Sequence, residues 1–155
     1  MNALYTLIIN KVFLAGVLGM IISQFFKMII LSIKNKKFLI QGILELAGMP
    51  SSHTSSVVAL TTAVYFTEGI SSLFIVCLLA TAYIIEEVLS MEWSVGAISQ
   101  FVNKAIDLAK TFRLLKSKDN KIRFKPMREK WGHTPEEVIA GAILGYLIAR
   151  IIFLI

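Results

Sequence analysis

The chain has few charges, one cysteine and two histidines, and each scarcity narrows what it can be. Charged residues are 17% of 155, against about 25% in soluble globular domains. A solvated globule of this size is therefore disfavoured. The single cysteine, Cys77, lies inside an apolar run, so an intrachain disulfide is excluded and the thiol reads as packing. Met1 to Tyr5 lack the basic start of a signal peptide, and the first apolar run is read as retained. No internal repeat or low-complexity tract interrupts the chain, which reads as one membrane-embedded domain over residues 1–155.

Hydrophobic residues make up 56% of the sequence, and the mean hydropathy is +0.73. They fall in runs of about 18 to 24 residues, the length a helix needs to cross hydrocarbon. The expected fold class is all-α, a polytopic membrane bundle of about four transmembrane helices plus one cytoplasmic amphipathic helix. Span one is expected from Leu4 to Phe26, ending near Lys27, with Ala15 and Gly19 as a small-residue packing face. Span two begins at Ile43 or in the Ser51 region and ends at Phe66. Span three runs from Ile70 to Leu89 and closes on Glu86 and Glu87. Apolar residues at helical spacing from Trp93 to Leu115, with Lys104, Asp107, Lys110 and Arg113 between them, mark the amphipathic helix at the headgroups. Span four runs from Thr134 to Ile155, with Gly141 and Gly145 as a second close-packing step.

The net charge of +6 would raise nucleic acid as a partner in a soluble protein. Here the basic residues cluster between spans, so they read as membrane orientation and no nucleic-acid partner is expected. Lys27, Lys34, Lys36 and Lys37 lie between spans one and two, and ten more lysines and arginines lie between Lys104 and Lys130. The positive-inside rule places both loops in the cytoplasm and both termini outside. That topology brings Lys27, His53, Glu87 and His133 to the cytoplasmic face, where a shared pocket is expected.

Each histidine opens an apolar segment inside a short polar motif. Gly48-Met49-Pro50-Ser51-Ser52-His53-Thr54 joins a turn to a helix start. It reads either as a cap with a snorkelling histidine or as an anion site made of free N–H groups and two hydroxyls. Gly132-His133-Thr134-Pro135-Glu136-Glu137 is a strong helix start, with Thr134 as cap, Pro135 in the first turn and Glu137 completing a capping box. A competing role for Glu137 is to hold one ring nitrogen of His133 and leave the other as a nucleophile.

These motifs carry a resemblance. Pro50-Ser51-Ser52-His53 is similar to the P-S-G-H motif of the type 2 phosphatidic acid phosphatase and vanadium haloperoxidase superfamily. Gly132-His133-Thr134-Pro135-Glu136-Glu137-Val138-Ile139-Ala140-Gly141 resembles its last motif. The layout resembles the small divergent branch of that superfamily over nearly the whole chain.

The resemblance implies a phosphatase-like protein acting on a lipid phosphate or pyrophosphate, a phosphoric monoester hydrolase needing no metal or other cofactor. It implies that His133 attacks phosphorus, that Glu137 orients it, and that His53 protonates the leaving oxygen. Lys27 and the Ser51–Ser52 turn would hold phosphoryl oxygens, and Glu87 stands where the branch has an aspartate. The chain departs from the superfamily at its arginines. Lys34 and Asn35 stand where its first motif has R-P, Met127 stands at another arginine with Arg128 one position off, and the G-V-R-R stretch that follows the third span in the divergent branch is missing. Arg128 is the expected substitute ligand. Two further readings stay open: a non-catalytic membrane protein binding an anionic lipid or partner, and a small ion-coupled transporter, which would require a homo-oligomer. Membrane lipids are the partners expected in every case.

Overall fold

The computed structural model describes residues 3–36, 48–112, 126–127, 129 and 132–155. They form five helices: α1 (Ala3–Ile9), α2 (Lys11–Asn35), α3 (Ser52–Glu68), α4 (Ser72–Thr111) and α5 (Pro135–Leu154). No strand occurs among the described residues, in agreement with the all-α class.

Local capping sets the boundaries. Asn10 splits the expected first span, because its Oδ1 accepts the N–H groups of Val12 at 2.9 Å and Phe13 at 3.1 Å. That satisfies two of the orphan donors of α2. Lys36 ends α2 in a left-handed conformation with φ 51°. The helix therefore runs past Lys27, which lies within it and not at its end. Ser51, Ser71 and Thr134 cap α3, α4 and α5 with side-chain oxygens.

The expected third span and the amphipathic helix, as far as Thr111, are one uninterrupted helix; Arg113 and Leu115 lie outside the described residues. α4 has 40 residues, or about 60 Å at 1.5 Å per residue. That is about twice the hydrocarbon thickness. No cap restarts the chain after Leu89. The Ser90 and Ser94 hydroxyls instead fold back onto the carbonyls of Glu86 at 2.8 Å and Ser90 at 2.9 Å, a bond compatible with a continuing helix.

α3 is central and packs on α2, α4 and α5. Its buried residues are small or hydroxylic: Ser52, Thr54, Ser55, Ala59, Thr61, Ala63 and Val64. Neighbouring backbones approach closely across them. A Cβ on Gly19 would lie 2.8 Å from the Ser55 carbonyl oxygen, and one on Gly141 would lie 2.6 Å from that of Ser51. Gly145 meets Ser55 in the same way. The hydroxyls add interhelical bonds: Ser55 to Gly19 O at 3.0 Å, Ser56 to Gly16 O at 2.8 Å, and Thr61 with Thr81 at 2.8 Å. Large apolar side chains such as Phe25, Ile75, Leu79, Ile143 and Ile151 point outward. Small residues inside and large apolar residues outside suit lipid as the solvent. α2, α4 and α5 are long and apolar enough to cross a membrane. α3 has 17 residues and is about 26 Å long.

Candidate functional site

One end of the bundle gathers the polar motifs. The starts of α3 and α5 are joined there by the Ser51 N–H, which donates to the Glu137 carbonyl at 2.9 Å. The His133 N–H donates to the Val88 carbonyl of α4 at 3.2 Å. These two backbone bonds fix the three helices at one level and set both histidines beside each other. Their ring centroids are 6.0 Å apart, with the planes at 81°. His133 is buried, with 3% of its surface exposed. His53, in the first turn of α3, is exposed.

His53 shares a cavity of about 270 Å³ with Glu87, in a cleft where α2, α3 and α4 meet. Met20, Val57 and Ile84 form apolar walls and Ser52 contributes at its polar side. Of the four residues expected in one pocket, His53 and Glu87 line this cavity. Lys27 and His133 are buried outside its lining.

Lys27 is 2% exposed, and its stem runs along the turn that leads into α3. A Cβ on Gly48 would lie 3.5 Å from Lys27 Cγ and Cδ. Gly48 has φ +132°, which an L side chain rarely adopts, so backbone conformation and the passing lysine both favour glycine there.

The two serines of the first motif are engaged in structure. Ser51 Oγ accepts the Thr54 N–H at 3.4 Å and the Thr54 hydroxyl at 3.0 Å. Ser52 Oγ accepts from Gln24 Nε2 at 3.3 Å. Both serines are buried, and each hydroxyl keeps its own proton to donate. In the second motif the capping box is complete. Glu137 N–H donates to Thr134 Oγ1 at 3.4 Å, and Glu137 Oε2 accepts the Thr134 N–H at 3.3 Å. The Glu137 carboxylate is thus a cap one turn from His133. Arg128 lies outside the described residues.

Two contributors escaped the sequence reading. Gln24 bridges α2 to the serine turn, and its Oε1 is buried without a hydrogen bond. The signal was present: a polar Ser23-Gln24 pair inside an apolar run, three residues before Lys27. The Val88 carbonyl is the second. No side-chain pattern marks a helical carbonyl that takes a bond from another segment.

Comparison with known proteins agrees with this layout. The family model described as Divergent PAP2 family matches residues 8–148. The uncharacterized membrane protein YuiD of Bacillus subtilis (strain 168) is 28% identical over 154 residues, covering 94% of this chain and 96% of the relative. No solved structure matches. With both histidine motifs inside the matched range, the chain is an integral membrane protein that belongs to the divergent PAP2 family.

Proposed function

We propose that the protein hydrolyses a lipid phosphate or pyrophosphate at the cytoplasmic membrane face. The carrying observation is the histidine pair, 6.0 Å between ring centroids. At that spacing both rings reach one ligand within hydrogen-bond distance, about 3 Å. Phosphoryl transfer depends mainly on such positioning and on charge stabilisation.

A ring nitrogen of His133 attacks phosphorus, and the bond from phosphorus to the leaving oxygen breaks. The proton on His53 passes to that oxygen. Water then attacks phosphorus and gives a proton to His53. The P–N bond breaks with its electron pair returning to His133, and phosphate leaves. Lys27, the hydroxyl protons of Ser51 and Ser52, and Arg128 are the candidates to hold phosphoryl oxygens.

Purified protein should release phosphate from a long-chain lipid phosphate. His133→Ala should lower that rate at least about a hundredfold, and should abolish an acid-labile phosphoenzyme. His53→Ala should still form the phosphoenzyme from a substrate whose leaving group needs little protonation. If wild-type protein forms no phosphoenzyme and releases no phosphate, the non-catalytic reading replaces this one. That reading draws on the Glu137 carboxylate being occupied as a cap. Sidedness is tested separately. A reporter after Ile155 should read extracytoplasmic and one near Lys118 cytoplasmic; the reverse pattern moves the site to the other face.

A further inference from the structure

Charge at the histidine end is divided between two flanks. On the α2 side the cation is Lys27, buried against the Gly48 turn. On the α4 side the cavity that holds His53 is also lined by Glu87. Glu87 directly precedes Val88, whose carbonyl accepts the His133 N–H at 3.2 Å. A phosphate held by His53 in this cavity shares it with Glu87. A carboxylate there disfavours a ligand that is anionic throughout. The same carboxylate favours a ligand that carries a cation beside its phosphate.

We infer that Glu87 makes this site selective for an amphiphile with a protonated amine next to the phosphate. The phosphate lies toward the histidines and Lys27, the ammonium toward Glu87. The alkyl chain follows the apolar walls of the cavity, Met20, Val57 and Ile84. The selectivity rests on the proposed function for what happens to the phosphate, but the binding preference stands independently of turnover. A metal ion is the weaker occupant of the same position. Among the described residues no three histidines, cysteines or carboxylates converge to hold one, whereas a single carboxylate is enough for an ammonium group.

The test compares three probes that differ at one group: 2-aminohexadecyl phosphate, its N-acetyl derivative, and hexadecyl phosphate. Binding is measured by calorimetry to the full-length protein in nanodiscs, carrying His133→Asn to prevent turnover. The amine probe should bind about tenfold more tightly than either probe that lacks the ammonium, the worth of one charge-assisted hydrogen bond. Adding Glu87→Gln should bring the three within about twofold. The acetylated probe keeps the test valid if Glu87→Gln does not fold, since it removes the amine charge from the ligand while Glu87 stays in place. Equal binding of the amine and acetylated probes overturns the inference. So does a preference that survives Glu87→Gln. Phosphate release by wild-type protein is then read on the same probes. No release from any of them, with the amine preference intact, overturns the hydrolase reading and leaves the selectivity standing.

Discussion

Both ends of the bundle carry cations, and they hold them in opposite ways. At the histidine end Lys27 is 2% exposed, with its stem against the Gly48 turn. At the far end Lys11 and Arg150 are exposed. Lys11 Nζ stands 5.6 Å from the centre of Phe153, and Arg150 stands 5.8 Å from that of Phe66. The two rings pack on each other at 5.5 Å. Exposed cations over aromatic rings near helix ends are an interfacial anchor, worth about 0.5–1 kcal/mol each. A lysine buried inside a long apolar helix is costly unless it is paired. Sign of charge does not separate the two ends. Burial does.

The glycines divide along the same line and give the largest expected effect. Gly141 sits where a Cβ would press within 2.6 Å of the Ser51 carbonyl, whereas Gly69, at the far end, has open space around it and φ +66°. Gly141→Leu should push α5 off α3 and cost about 3 kcal/mol, seen as loss of monodisperse protein in detergent. Gly69→Ala should cost only about 1 kcal/mol, from the positive φ alone. Ser55→Ala removes one interhelical hydroxyl bond, about 0.6 kcal/mol, so close backbone approach outweighs the hydroxyls in holding this end together. Comparable losses for the two glycine variants would erase the distinction between a tight end and a loose one.

Sequence periodicity and small-residue steps made much of this legible. Gly19, Gly141 and Gly145 were readable as packing faces because lipid offers no hydrophobic gain for helix association, so small residues mark the contacts. The second motif was readable as a capping box because Thr134, Pro135 and Glu137 fit a local geometry that needs no tertiary information. The order of the apolar runs brought both histidine motifs to one end of the bundle, but the contact between the rings was not readable from it. Two further things were hidden. The continuity of α4 was obscured because a change from uniform to amphipathic composition resembles a boundary, although the backbone needs a cap or breaker to stop. The depth of Lys27 was hidden for the converse reason. A lysine after a long apolar run reads as a helix end, yet α2 continues through Met28, Ile29, Ile30 and Leu31 to Asn35.

The next contrast sets the two lysines against each other. Lys27→Met should weaken binding of hexadecyl phosphate at least about tenfold, the loss of one charge-assisted contact. Lys11→Met should leave binding within about twofold and remove only the cation–π contact, about 0.5–1 kcal/mol of stability. Equal weakening by both would mean that the anion responds to net charge and not to a buried ligand. Raising salt distinguishes these further, because screening acts on exposed charge far more than on buried charge.

The smallest effect is the most discriminating, because it holds the stability change constant. Asn10 caps α2 at the far end, and Thr134 caps α5 beside His133. Alanine at either position removes a side-chain acceptor from a helix start and should cost about 1 kcal/mol. In a chain of this size that lowers Tm by about 3 °C. The functional consequences should differ. Thr134 lies between His133 and the helix that carries Glu137, and the His133 N–H is already committed to Val88. Without the cap the first turn of α5 frays, and the imidazole loses its fixed distance from His53. Misplacement of a reacting group by about 1 Å can cost as much as a hundredfold, so phosphate release should fall at least about fivefold in Thr134→Ala. Asn10→Ala, with the same loss of Tm, should stay within about twofold of wild type. Thr134→Ser should restore both stability and rate, since serine supplies the same acceptor. If Asn10→Ala and Thr134→Ala slow release equally, the rate follows global stability, and the capping box does not position the histidine.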